Sequence, residues 1–557
     1  MSFLSLFRKK PLGTILQQGG DGEHSGLNKV LNVKDLTFFG IAAIIGGGTF
    51  SAIGNACFSG GPGVILLYVM CAIACGFTAM CYAEFASRVP VSGSAYTYAY
   101  VSFGEIFAWI IGWALLMEYS IGNIYIAFSW SGYFTNLLET FGIHLPEWLT
   151  INYKSAHAAF IESKAGEGML AWQNAPVVGG LRIIFDAPAV LINVLITYLI
   201  YRGTKESKNI SNIMVYIKLI IIVLVIVVGA FYIDIDNWTP FMPNGFGGVM
   251  AGVSAVFFAY IGFDAVSTLA EESENPQRDL PRGMIYSLII CTIVYIILAM
   301  VLTGMVKYDL LGVSDPLAEI FAIKGIKWML FIVSIAAVVA MTSVMLVFQM
   351  GQPRIWMTMS RDGLMPKKFA EIHPKYKTPG FASIVTGLVV GIPIFFTDEN
   401  FVLDFTSIGT LFAFVLVCGG VLMLSPQSEA ELAERATKGK FRIPYVNSKF
   451  IFPLIVISTA VLVNFYVPDF FGNVFDLSAE NLAANLPMLA FFILTIVMSV
   501  LAFTKNLSLI PLLGLVSCCY LLTGMAVSNW KWFGIWLLVG LVVYFTYGFR
   551  NSKLIKK

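Results

Sequence analysis

Long apolar runs, not alternating ones, dominate this chain. Fourteen stretches come close to the roughly 20 mostly apolar residues that cross a bilayer core as a helix. They are residues 37–58, 63–86, 106–133, 187–202, 210–231, 248–270, 283–306, 328–351, 379–396, 401–424, 450–467, 486–504, 507–527 and 531–549. The fourth is short, and 507–549 can be divided in more than one way. An outer-membrane barrel would alternate apolar and polar residues, so the pattern predicts an all-helical polytopic membrane protein. Polar segments between the runs are short, except 134–186, 352–378 and 425–449. The first is read as a folded cap, with a functional lid as the alternative. In the last, Ser428–Ala436 reads as a short helix.

Composition narrows the class further. Hydrophobic residues make up 58% of the 557 and charged residues 12%, about half the usual quarter. Mean hydropathy is +0.80. So little charge cannot cover several soluble domains, and disorder, a collagen repeat and a disulfide scaffold are disfavoured. A net charge of +2 implies no nucleic-acid partner. The eight cysteines form no CxxC pair and the four histidines have no ligand spacing, so no metal or other cofactor is expected. No GxxxxGK[ST] occurs, and no nucleophile–base or metal cluster suggests an enzyme. The apolar stretch Ser2–Phe7 is too short for a signal peptide, and Arg8-Lys9-Lys10 follows it instead of preceding it.

The few charges orient the chain. With the N-terminus inside, 27 of the 35 Lys and Arg lie in cytoplasmic segments and 7 in outer ones. That asymmetry predicts both ends cytoplasmic, in a plasma membrane or a bacterial inner membrane. The expected organisation is a cytoplasmic segment 1–36, five helices over 37–231 with the outer loop 134–186, and five more over 248–424. A cytoplasmic loop 425–449, four additional helices over 450–549 and a tail 550–557 follow.

The remaining basic residue, Lys218, is flanked by apolar residues. Eight residues from Ile210, it lies about 12 Å along the helix, near the middle of a roughly 30 Å core. Ionisable groups at that depth are expensive and usually functional. A lysine that gains and loses a proton is a natural coupling residue; a structural ion pair with Glu84, Glu118 or Asp264 is the alternative. Glu118, midway along the third run, either lines a cavity or braces helices.

Two runs have a weak helical centre. Gly46-Gly47-Gly48 interrupts the first, each glycine costing about 1 kcal/mol relative to alanine in a helix. A break there would turn its free N–H groups towards an anion such as a carboxylate. Close packing of small residues is the alternative. The sixth run carries Gly262 between aromatics, two residues before Asp264. Interrupted helices at matching places in two halves point to an inverted-repeat transporter.

Several stretches, in order, carry a resemblance. They are Phe257–Met284 (FFAYIGFDAVSTLAEESENPQRDLPRGM), Gly351–Pro366 (GQPRIWMTMSRDGLMP), Ser92–Tyr98 (SGSAYTY), Gly112–Asn123 (GWALLMEYSIGN) and Ser407–Phe414 (SIGTLFAF). On these the chain resembles the amino acid/polyamine/organocation (APC) superfamily of permeases, in particular the cationic amino acid transporter branch. The resemblance implies a LeuT-like 5+5 inverted repeat with helices 1 and 6 unwound, plus about four additional C-terminal transmembrane helices. It implies that Gly46, Gly47 and Gly48 hold the substrate carboxylate and that the carbonyls of Ile44 and Ile261 receive its ammonium. Phe258 stands at an aromatic gate, with Phe263 and Asp264 continuing the unwound segment. Lys218, with Thr342 and Ser343, stands where sodium-coupled relatives bind sodium. Gly47 and Thr49 depart from the family pattern, which commonly has a small residue with a side chain and an aliphatic residue there. Met345, sharing a face with Met341 and Thr342, leans towards a neutral substrate if it lines the pocket.

The sequence is therefore read as a secondary-active transporter of L-amino acids, cationic or small neutral. Proton symport is the leading mode and amino acid exchange the alternative. A transport-inactive amino acid sensor is the alternative of another class.

Overall fold

The computed structural model describes residues 6–10, 29–162, 166–203, 205–313, 315–424, 441–466, 470–476, 478 and 482–554. All fourteen apolar runs fall on helices or on pairs of half-helices. Nine helices among the described residues are long and apolar enough to cross a membrane, and four shorter apolar ones accompany them. The spans are numbered 1–14 in chain order.

Span 1 starts behind an Asn32 cap, whose side chain accepts from the Asp35 amide while Asp35 accepts from the Asn32 amide. It is split into Val33–Ile44 and a second piece ending at Gly60. Span 2 is Val64–Arg88, span 3 Glu105–Thr140, span 4 Ala187–Arg202 and span 5 Lys205–Ala230. Span 6, also split, runs from Val253 to Glu272; span 7 is Pro276–Met305 and span 8 Lys327–Arg361. Spans 9 and 10 are Gly380–Ile394 and Glu399–Leu424.

Spans 3, 8 and 10 form the packed centre, with span 3 lying along both of the others. Spans 2 and 7 pack on one another, and span 7 also packs on the first half of span 1. Span 7 shows how sequence sets this placement. Ile289, Ile293 and Ile297 repeat every four residues on an exposed face, while Cys291, Tyr295 and Leu298 are buried. Lipid tails are as apolar as leucine, so an exposed isoleucine stripe suits a lipid-facing surface.

Spans 11–14 are Ile451–Tyr466, Leu482–Lys505, Leu509–Thr523 and a last helix starting at Val527. Span 14 joins the centre through indoles. Trp109 Nε1 donates to Gly540 O (2.8 Å), Trp113 Nε1 to Trp536 O (2.9 Å) and Trp536 Nε1 to Trp113 O (3.1 Å). Spans 11 and 12 instead share a small separate core, in which Phe452, Met498 and Ala502 meet Leu512 of span 13.

Two sequence boundaries need correction. Span 3 continues to Thr140, with Phe134 still packed on the core and Asn136 donating to Asp315, so the cap begins at Phe141. The cap is folded: helices Tyr153–Ile161 and Glu167–Asn174 precede a two-residue-strand hairpin, Val177–Val178 with Leu181–Arg182. Span 8 stays helical to Arg361, so most of Gly351–Pro366 lies in the helix and not in a loop. The short helix expected at Ser428–Ala436 lies outside the described residues.

Candidate functional site

The glycine triad breaks span 1 as expected, one residue earlier than the triad itself. Ile45 leaves helical geometry (φ −81°, ψ 101°), and the chain resumes as one π-helical turn, Gly48–Ala52. The first ladder bonds of the new half run from Thr49 N and Phe50 N to Gly46 O. The amides of Gly46, Gly47 and Gly48 precede those bonds. First-turn amides have no partner within their helix, which leaves them able to bond an anion.

Span 6 breaks at Ile261 (φ −61°, ψ 138°) and Gly262 (φ 121°), then continues as a 3₁₀ helix, Phe263–Glu272. A φ of that sign belongs to glycine. The two breaks touch at two points. A Cβ on Gly48 would lie 2.4 Å from Ala259 Cα, and one on Gly262 would lie 2.7 Å from Ala43 Cβ. Each break therefore uses a glycine to admit the other's backbone.

Lys218 sits at the first break, fully buried. Its Nζ donates to Ala42 O (3.0 Å), Ile45 O (2.7 Å) and Ser343 Oγ (3.0 Å). Ala42 and Ile45 end the first half-helix, where the dipole's negative end favours a cation. Three acceptors match the three donors of an ammonium. Among the described residues Lys218 meets no carboxylate within ion-pair distance; Glu84 pairs with Arg88 instead. Carbonyl and hydroxyl partners thus take the place of a structural ion pair at Lys218.

Ser343 reaches Lys218, but Thr342 does not. The Thr342 hydroxyl donates to Val338 O and accepts from Trp130 Nε1 at 2.9 Å, facing span 3. Adjacent helical residues point about 100° apart, so one of the two hydroxyls had to turn away. Phe258 stacks edge-on to Tyr125 (4.7 Å between centroids), and a Cβ on Gly47 would lie 3.1 Å from the same Tyr125 ring. Tyr125 thus belongs to the site, and nothing distinguishes it in sequence from other tyrosines. Phe263, the first residue after the break, packs between Tyr82 and Phe414 in an aromatic cluster. Met345 is buried, as are Glu118 and Asp264. Asp264 lies in the first turn of the second half-helix of span 6, whose positive end suits a carboxylate.

Charged ties lie to either side of the breaks. On the face bearing residues 30–31, the chain pairs with 272–274: Leu31 N donates to Glu272 O (3.1 Å) and Glu274 N to Leu31 O (2.9 Å). There Arg354 binds Glu272, and Arg361 lies 3.2 Å from Glu271. These pairs join the two stretches that carry the strongest family likeness. Their charges are visible in sequence; their pairing across roughly ninety residues is not.

On the face bearing the cap, a cavity of about 520 Å³ is lined by Ser129, Tyr133, Lys154, Asp186, Asp398 and Glu399, among others. Glu399 Oε1 accepts from Ser129 Oγ (3.0 Å) and Ser51 Oγ (3.4 Å), joining spans 1, 3 and 10. Lys154 of the cap pairs with Asp398. Asp186, just before span 4, accepts from Ser131 Oγ (2.5 Å) and Ala189 N (3.0 Å). Burial outweighs those bonds and pushes its carboxyl up to about 7. An acid with a higher pKa folded than unfolded holds its proton more tightly in the native state. Its contribution is fully present below the unfolded value of about 3.9 and is lost as pH rises through the folded one. Asp186→Asn is expected to flatten the decline in melting temperature between about pH 4 and pH 7. An unchanged slope in detergent would contradict this assignment.

Two broken helices facing one another inside a many-helix apolar bundle define a transport protein of the membrane. Comparison with known proteins places it more closely. A family described as "Amino acid permease" matches residues 31–498, and "C-terminus of AA_permease" matches 507–552. The chain is 37% identical to the branched-chain amino acid permease BcaP of Bacillus subtilis (strain 168), over 99% of both chains. It is 39% identical to the methylthioribose transporter of the same organism, over 79% of this chain and 89% of that one. To the vacuolar cationic amino acid transporter 4 of Arabidopsis thaliana it is 31% identical, over 99% of this chain and 96% of that one. The chain belongs to the amino acid permease family of the APC superfamily.

Proposed function

We propose that the protein is a secondary-active, proton-coupled symporter of L-amino acids, working by alternating access between the two faces of the membrane. The observation that carries this reading is the seat of Lys218, whose Nζ is bonded to the first break at Ala42 O and Ile45 O and to Ser343. A zwitterion needs donors at one end and acceptors at the other. The amides of Gly46–Gly48 supply the donors, and the carbonyls at Ile44 and Ile261 supply the acceptors. Phe258 closes over the site, with Tyr125 behind it. Protonated Lys218 holds the first half of span 1 against spans 5 and 8. Once the proton leaves, that half is free to swing and open the face tied by Glu272–Arg354.

The two five-helix units, 37–231 and 248–424, are read as the inverted repeats that rock against one another. In this reading the cap faces outside and both termini lie in the cytoplasm, in a plasma or bacterial inner membrane. The relatives named for branched-chain and for cationic amino acids bracket the substrate class, small neutral or cationic. Thermal stabilisation of the purified protein by the twenty L-amino acids reads the side chain directly. In proteoliposomes, net uptake of the stabilising amino acid is expected to follow an inward proton gradient and to collapse with a protonophore. Counterflow without any net uptake would replace symport by exchange. Stabilisation by no amino acid would remove the substrate assignment.

A further inference from the structure

Tyr295 on span 7 is fully buried, its ring set between Tyr68 (5.8 Å) and Tyr260 (5.4 Å). Its hydroxyl reaches both breaks at once. It lies 2.9 Å from Ile44 O, the last helical carbonyl before the first break, and 2.8 Å from Ala259 O, just before the second. The Thr49 hydroxyl, from the turn after the glycine triad, donates to it at 3.1 Å.

A phenol has one proton to give. Thr49 occupies a lone pair of the oxygen and directs that proton towards the carbonyls. Among the described residues no backbone donor from outside their own helices is bonded to either carbonyl, so two oxygens face a single proton and one is left short of a hydrogen. A buried acceptor without a donor costs free energy, roughly 1–3 kcal/mol. Both carbonyls border the place where the two half-helix ends converge, and a cationic N–H donor arriving there removes the shortage.

We infer that Tyr295 is a positioning residue for the substrate's α-ammonium group. Its hydroxyl, oriented by Thr49, holds the carbonyls of Ile44 and Ala259 at one point and leaves an acceptor there for the substrate to satisfy. This rests on the reading of the two breaks as an amino acid site. It also gives a definite role to Thr49, a departure from the family pattern, since an aliphatic residue at 49 could not donate to Tyr295.

The test is binding and uptake by Tyr295→Phe in the full-length protein, which keeps the ring and removes the hydroxyl. The probes are the stabilising amino acid and its α-hydroxy acid analogue, which has a hydroxyl in place of the ammonium. KM for the amino acid is expected to rise about tenfold with kcat little changed, the scale of the one hydrogen bond by which the phenol holds the carbonyls in place. The preference for the amino acid over its hydroxy analogue is expected to fall by a similar factor; a merely structural role would weaken both ligands alike. Thr49→Val, which keeps the phenol, is expected to shift the same ratio in the same direction by about two- to threefold, and serves if Tyr295→Phe does not fold. An unchanged preference ratio in the variant that folds overturns the inference. Wild-type protein that binds no amino acid overturns the parent reading instead, so the two failures are distinguishable.

Discussion

Replacing Lys218 by glutamine is expected to abolish proton-driven accumulation while leaving amino acid exchange measurable. The ammonium has three donors and meets three acceptors, Ala42 O, Ile45 O and Ser343 Oγ. A neutral amine or a glutamine amide has only two N–H donors. One of the three contacts that tie spans 1, 5 and 8 is therefore lost in either case, and glutamine fixes permanently what deprotonation does transiently. Net uptake under an inward proton gradient should fall about tenfold or more, within the usual range of coupling free energies. Counterflow should keep the same pH profile at every proton gradient. Proton-dependent uptake that survives in Lys218→Gln would sink the coupling role of this residue.

The second large effect concerns the contact between the two breaks. Gly48→Ala would place a methyl carbon 2.4 Å from Ala259 Cα, a backbone atom with no rotamer to yield. Overpacking of this kind costs about 1–3 kcal/mol, and here the strain falls where spans 1 and 6 meet. Transport should be lost even where the protein still folds, since the two half-helix ends can no longer share a substrate. Gly262→Ala meets Ala43 at 2.7 Å and adds an unfavourable φ of 121°. Gly76→Ala is the control, because its Cβ meets nothing within 4 Å. Uptake and melting temperature measured together separate the cases. Equal uptake by the Gly48 and Gly76 variants would show that the breaks do not need their close approach.

The architecture is legible in the sequence because a bilayer leaves few choices. Apolar runs must be helices, and all fourteen are. The breaks are legible because three glycines in one run and a glycine two residues before Asp264 oppose the helix that the rest of each run favours. Lys218 announces itself as the one basic residue in the interior of an apolar run. What stays hidden depends on direction and partnership. Two adjacent hydroxyls, Thr342 and Ser343, cannot be told apart without knowing which neighbour each faces. Tyr125 and Tyr295 are two of 23 tyrosines, and only the meeting of distant helices gives them roles. The pairs Glu272–Arg354 and Glu271–Arg361 likewise exist only once spans 6 and 8 are side by side. Phe263 follows the break and so reads as a neighbour of the substrate; that its ring packs on Tyr82 and Phe414 shows only once those helices meet.

The start of span 3 bears on how the fold closes. Buried Glu105 accepts from Tyr100 OH and Tyr544 OH, both at 2.9 Å, and from Ser552 Oγ at 2.5 Å. Arg8 lies 3.7 Å from the same carboxylate. Two of the three hydroxyl donors are more than four hundred residues downstream, so this buried group is fully bonded only when span 14 and the turn after it have docked. Span 14 is thus latched to the bundle by a carboxylate as well as by its indoles.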